Sequence, residues 1–234
     1  MCGRYSLTGP NPAKVRERFA LGDDVPVEQR FNIAPGTDVV AVTTDREGAP
    51  RGDLLRWGLV PHWAESPKVG YKMINARAET LAERPAYRDA LATRRCLIVA
   101  DGFYEWQPRE HGPKLPWWIT RDDHEPFAFA GLWALWRPAP DVEPLRSCTI
   151  ITTAATASLR EVHGRMPVML EAGAEAAWLD HGTAPEALAD LLAPFEGTTR
   201  IPVSTAVNDA GHDAPDCIEP VDPGLDEPAS PTLF

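Results

Sequence analysis

The chain is poor in lysine, has no paired cysteines and lacks any long apolar run, and each shortage excludes a class of protein. Only 4 of its 234 residues are lysine. No unbroken apolar stretch exceeds five residues, as in Cys96–Ala100, against the roughly 20 that a membrane-spanning helix needs. The four cysteines, Cys2, Cys96, Cys148 and Cys217, stand singly. That pattern offers neither the close pairs of a zinc site nor the density of a disulfide framework. The six histidines have no paired ligand spacing with one another or with the cysteines, so no metal or cofactor is expected. Phosphate loops, dinucleotide fingerprints and HExxH or GxSxG elements are missing. Polar Ser6, Thr8, Gly9 and Pro10 stand where a signal peptide would be apolar, which predicts a cytoplasmic protein.

What is present suits one globular domain. The net charge of −11 argues as a whole against a polyanionic partner. Its distribution argues the other way: residues 1–100 carry +3, residues 101–208 carry −7 and residues 209–234 carry −7 with no basic side chain. Basic residues are 19 Arg against 4 Lys, a bias that suits bidentate phosphate contacts and that GC-rich coding also produces. The stretch from Asp209 onward holds five prolines and almost no periodic apolar pattern. It is expected to be a disordered acidic tail, giving a folded domain over 1–207, a tail over 208–234, and a fold that tolerates removal of 212–234.

Proline and glycine total 41 residues, and the short β-branched and aromatic segments between them predict strands at 37–44, 53–60, 96–106, 116–120, 126–136, 145–153 and 200–207. Helical patterns cover 12–20, 79–94, 171–180 and 184–194. The class is α+β, a single β-rich domain with a few peripheral helices.

Several residues invite chemistry. Removal of Met1 would leave Cys2 with an α-amine of pKa about 7.7–8.0 beside a thiol near 8.5. Such a 1,2-aminothiol condenses with aldehydes: the amine forms an imine, the thiol adds to its carbon and a thiazolidine closes. A buried cysteine packing as a small hydrophobe is the alternative. In Asn75-Ala76-Arg77 an extended backbone would aim amide and guanidinium the same way. Glu105, within Gly102-Phe103-Tyr104-Glu105-Trp106, would be a desolvated general acid or base if its face is dry, and an ordinary surface carboxylate if it is wet. His163 lies at a Gly-Arg-Met-Pro turn beside Arg165, placed for anion contact or proton transfer, or else structural. Trp63 and Trp106 stand among polar residues and could stack on unpaired bases.

Taken together, Met1-Cys2-Gly3-Arg4-Tyr5, Phe31-Asn32-Ile33-Ala34-Pro35, Trp57-Gly58-Leu59-Val60-Pro61, Asn75-Ala76-Arg77-Ala78-Glu79-Thr80, Gly102-Phe103-Tyr104-Glu105-Trp106 and His163-Gly164-Arg165-Met166-Pro167-Val168 resemble the SOS response-associated peptidase (SRAP) family, the abasic-site processing proteins. The resemblance runs in order from residue 1 to about 207. It implies a protein of the DNA damage response that binds single-stranded DNA and links covalently, through its N-terminal cysteine, to the ring-opened aldehyde of an abasic site. By the same resemblance the catalytic positions are Cys2, Asn75, Glu105 and His163, and the DNA-contacting positions are Arg4, Arg77, Trp106, Arg165 and Trp63. A monomer that associates with the nucleoid when DNA-bound is expected, with no cofactor and no membrane partner. Two other classes remain: a cysteine peptidase, for which the family is named, and a non-catalytic single-strand-binding module.

Overall fold

The computed structural model describes residues 2–9 and 11–223. In chain order the elements are β1 (Tyr5–Leu7), α1 (Pro12–Arg18), β2 (Arg30–Ile33), β3 (Asp38–Thr44), β4 (Pro50–Trp57), β5 (Asn75–Arg77), α2 (Pro85–Thr93), β6 (Arg95–Ala100), β7 (Gly102–Gln107), β8 (Leu115–Arg121), β9 (Phe127–Trp136), β10 (Leu145–Ala154), β11 (Arg165–Pro167), β12 (Met169–Leu170), α3 (Glu175–Leu179), α4 (Pro185–Asp190) and β13 (Thr198–Pro202). Single 3-10 turns intervene, among them Thr205–Asn208 and Pro215–Ile218. The β-rich α+β expectation is met.

Two sheets carry the strands. One is five-stranded in the order β13-β8-β7-β1-β2, and in the other β10-β4-β3-β6-β9 closes on itself through a second β10–β9 pairing. The long β10 makes this closure possible. Its first half pairs with β9 and β4, and its second half with β5 and β11. Closure leaves no free edge along that ring. The sheets meet through aromatic rings, with Tyr5 of β1 at 5.2 Å from Trp57 and 5.7 Å from Phe129, and Phe103 of β7 at 6.2 Å from Phe129. Each such edge contact adds about 0.5–1.5 kcal/mol beyond simple burial.

The expected strand 96–106 is in fact two strands in different sheets, β6 and β7, hinged at buried Asp101. Its carboxylate accepts hydrogen bonds from Ser6 Oγ at 2.8 Å, Thr8 Oγ1 at 2.8 Å and the Thr8 amide. A charged group so deeply held is costly unless fully bonded, and bonding it fixes the crossing from one sheet to the other. The next residue must be small, because a Cβ on Gly102 would lie 2.1 Å from the Trp118 indole nitrogen. The expected helix 79–94 begins only at Pro85, which suits a first helical turn but cannot continue a helix already running. Helix 12–20 stops at Arg18, followed by Ala20 in the left-handed region at φ 49°. Helices 171–180 and 184–194 shrink to α3 and α4, and strand 200–207 gives way after Pro202 to a 3-10 turn.

The domain boundary near Val207 is corrected by the packing of the next sixteen residues. The Asn32 side-chain amide donates to the carbonyls of Val207 (3.2 Å), Asp209 (2.8 Å) and His212 (2.7 Å). The Asp213 carboxylate accepts from the Arg30 guanidinium and from the amides of Phe31 and Asn32. Cys217 is fully buried with Tyr104, Val203 and Val207, and Val203 bridges to Pro220. The segment lacks periodic apolar residues because polar bonds hold it, a signal that hydropathy does not carry. The remainder of the expected tail, 224–234, lies outside the described residues. Asn32→Ala would strand these buried carbonyls at a cost of about 1–3 kcal/mol. A fall in Tm of roughly 2–12 °C is expected for a chain of this size, read by thermal melting, and removal of 212–223 should lower it further.

Candidate functional site

The site forms where the ends of the two sheets converge. The five-stranded sheet supplies Cys2 and Arg4 at the start of β1 and Glu105 and Trp106 on β7, with the Tyr104 amide donating to the Arg4 carbonyl at 3.0 Å. The closed sheet supplies Asn75 and Arg77 on β5, His163 just before β11 and Arg165 at its start. Strand β10 spaces the last group: Thr152 faces Arg77 on one side and Pro167 on the other, and Ala154 faces Arg165.

Asn75 joins the sheets. Its Nδ2 donates to the Cys2 carbonyl at 2.7 Å. Cys2 itself has no exposed surface, and its Sγ lies 3.7 Å from the Arg4 carbonyl. Burial pushes its thiol well above the usual range, and the negative charge of Glu105 pushes it further. Compared with the thiol near 8.5 of a free terminal cysteine, burial favours the S–H form further, so the sulfur needs a base when it reacts.

Glu105 can serve as that base. It is only 4% exposed, so the dry face is the correct one. Burial raises its carboxyl above the ordinary glutamate range, with the charge of the chain's amino terminus and His163 pulling it back. His163 Nδ1 stands 3.9 Å from Glu105 Oε1 and accepts the Arg165 amide at 3.0 Å. The same Nδ1 lies 3.0 Å from the Arg165 carbonyl, so it accepts from the amide in one tautomer and donates to the carbonyl in the other.

The cationic and aromatic candidates are arranged less uniformly. Arg77 is exposed. Arg165 is engaged in a fork with Glu79, at 2.6 and 2.9 Å, and also donates to the Thr152 carbonyl at 2.6 Å. Arg165 holds the Glu79 carboxyl below the usual carboxylate range, and Arg77 adds to that effect. Arg4 is half-buried, donates to the Gly3 carbonyl at 3.1 Å and feels the charge of Asp209. The Trp106 indole N–H donates to Asn208 Oδ1 at 2.7 Å. Trp63, 57% exposed, lies apart in a groove with His62, Pro85, Asp89, Arg94 and Leu135. Among the described residues no hydrogen bond or ring contact ties it to Cys2. Glu79, Asn208 and Asp209 were missed as site neighbours. Glu79 stands inside a motif already noted, whereas Asn208 and Asp209 gave no signal because they were assigned to the tail.

Two cavities of about 510 and 540 Å³ open elsewhere, one beside Leu91 and Leu188 and one beside Lys14 and Trp118, and neither is lined by Cys2, Asn75, Glu105 or His163. No described helix is long and apolar enough to cross a membrane.

The family model described as SOS response associated peptidase matches residues 1–210. The abasic site processing protein YoqW of Bacillus subtilis (strain 168) is 39% identical over 225 residues, which cover 94% of this chain and 99% of that protein. The abasic site processing protein HMCES of Xenopus tropicalis is 36% identical over 189 residues, covering 70% of this chain and 56% of that one. Among solved structures, a protein from Bacteroides thetaiotaomicron superposes with a TM-score of 0.85 at 22% identity, covering 94% of this chain and all of that one, which supports the fold. With a match across nearly the whole described domain and relatives well above 30% identity, the chain belongs to the SOS response associated peptidase (SRAP) family.

Proposed function

We propose that this protein processes abasic sites in DNA, acting on single strands as a monomer and capturing the open-chain aldehyde covalently on Cys2 once Met1 has been removed. The observation that carries this reading is the convergence, from two sheets, of Cys2, the Asn75 amide on its carbonyl and the buried Glu105 carboxyl. The names of the relatives, abasic site processing proteins, supply the substrate class.

The Cys2 amine attacks the C1′ aldehyde and loses water to give an imine. The thiol then adds to the imine carbon: S–H breaks, S–C forms and the nitrogen takes up a proton. Because the thiol is held protonated, Glu105 takes the sulfur's proton and returns it to nitrogen, with His163 beside it as a second carrier. Asn75 fixes the Cys2 carbonyl and thereby the trajectory of both nucleophiles. Arg4, Arg77 and Arg165 would clamp phosphates, and Trp106 would stack on a neighbouring base.

The deciding experiment is incubation with single-stranded DNA carrying one abasic site, resolved on a denaturing gel. The parent protein should give a heat-stable adduct one protein mass heavier than the DNA, and Cys2→Ala should give none while still binding DNA in a salt-sensitive way. An adduct formed equally by Cys2→Ala would overturn the reading, as would a fully active sample whose intact mass retains Met1.

Glu105→Gln should slow adduct formation by about 10²–10⁴-fold in single-turnover time courses, the usual contribution of a general acid or base. The parent rate should fall as pH drops through the raised Glu105 pKa, and the glutamine variant should lack that limb. Stability carries the same signature with its own sign. A carboxyl whose folded pKa is raised binds protons more tightly when folded, so its presence costs stability as pH rises above the ordinary glutamate value. Glu105→Gln should therefore melt higher than the parent at pH 8 and not at pH 4.

The Glu79 carboxylate occupies on Arg165 the position a phosphate would take. Partly exposed pairs are worth about 0–1 kcal/mol, so Glu79→Gln should tighten single-strand binding up to about fivefold. The gain should vanish in an Arg165→Ala background; a gain that persists there would reflect net charge alone.

A further inference from the structure

We propose that His212, Asp216 and Cys217 form a zinc site on the segment that follows β13. Their donor atoms, a histidine nitrogen, a carboxylate oxygen and Sγ, all lie within 4.8 Å of one another, and His212 Nε2 is 2.7 Å from Asp216 Oδ1. Spacing had shown no such group because the donors are brought together by a 3-10 turn, Pro215–Ile218, rather than by a paired motif.

Three observations turn proximity into a site. First, the backbone of the turn is fixed from outside. Asn32 Nδ2 holds the His212 carbonyl at 2.7 Å, the Asp213 carboxylate is bound by the guanidinium of Arg30 and the amides of Phe31 and Asn32, and Cys217 Sγ reaches the His212 carbonyl at 3.6 Å. Donors on a fixed backbone lose little entropy on binding a metal. Second, access is one-sided. Cys217 is buried against Tyr104, Val203 and Val207, while His212 and Asp216 are partly exposed, so a cation can enter from solvent and meet the sulfur last. Third, the donor set is selective. Thiolate, imidazole and carboxylate together suit Zn²⁺, which binds sulfur at about 2.3 Å and nitrogen or oxygen at about 2.0–2.2 Å, with a water in the fourth position. Binding replaces the His212–Asp216 hydrogen bond by two metal bonds and forms a Zn–S bond as the Cys217 thiol gives its proton to solvent. The two negative ligands balance the ion's charge.

The site would tie the ends of a turn that begins three residues after Asp209, next to Arg4, and four after Asn208, the partner of Trp106. Zinc would then stiffen one wall of the site around Cys2 without entering its chemistry.

The test titrates the purified full chain with Zn²⁺ by calorimetry and with Co²⁺ by absorption, since a thiolate–Co²⁺ bond gives a charge-transfer band that nitrogen and oxygen ligands do not. Cys2, itself a metal-binding aminothiol once Met1 is removed, is controlled by the Cys2→Ala variant. In Cys2→Ala, one equivalent of metal, a thiolate band that is lost when Cys217→Ser is added, and a zinc-dependent rise in Tm are expected. Asp216→Asn in the same background, on the exposed side and harmless to the core, should weaken zinc by more than about tenfold, as even outer-shell changes at metal sites cost 10–100-fold. Absence of the band in Cys2→Ala, its survival when Cys217→Ser is added, or unchanged zinc affinity on adding Asp216→Asn would each overturn the proposal.

Discussion

The structure turns on the seating of one three-residue strand inside a sheet. β1 lies between β2 and β7, with Tyr5 opposite both Ile33 and Phe103. Three residues of strand would hold weakly alone. They are reinforced by the Asp101 carboxylate on Ser6 and Thr8 just beyond, and by Tyr5 wedged between Trp57 and Phe129 of the other sheet. Once β1 is fixed, Cys2 has one place to be, and the Asn75 amide reaches it from the opposite sheet. A set of side chains positioned by strands of two packed sheets is held more rigidly than one on a loop.

Around that point the protein tolerates an electrostatic arrangement that a net charge of −11 would not suggest. Each candidate phosphate-binding arginine already feels an internal carboxylate: Arg165 holds Glu79, exposed Arg77 adds its charge to the same carboxylate, and Arg4 senses Asp209. Fork geometry and partial exposure make these contacts orienting rather than strongly stabilising. On the proposed function, a nucleic acid would replace such partners at small cost. The buried groups behave oppositely. Burial holds the Cys2 thiol as S–H and raises the Glu105 carboxyl, so a proton passing from the thiol to an ionised Glu105 moves one buried negative charge and creates no second one.

Much of this was legible in the sequence, and its limits have physical causes. The long strands at 38–44 and 127–136 announced themselves because burial on both faces leaves near-continuous apolar runs, and 145–154 did so through its β-branched Thr and Ile. Strands β1, β2, β5, β11 and β12, two to four residues each, are too short for any period to show. Of these, β5 and β11 carry Asn75, Arg77 and Arg165, and β1 follows directly on Cys2 and Arg4. Asp101 reads as a polar residue within one strand, and only its bonds to Ser6 and Thr8 reveal a change of sheet. Asn32 and Asp213 hold an acidic, proline-rich segment that composition assigned to disorder, because composition counts apolar area and not a few specific polar bonds to another strand.

Local order along the chain therefore determined the β-rich class, the identity of the reactive residue types and their membership of recognisable motifs. Tertiary structure alone decided that Glu105 faces a dry interior, that Cys2 is held as a thiol, that Arg165 rests on Glu79 while Trp63 stands apart, and that residues 208–223 belong to the domain. The reason is the same in each case. Burial and pairing are properties of contacts between segments 70 to 180 residues apart, whose closing entropy is repaid only by the packed whole, and no window of sequence contains both partners.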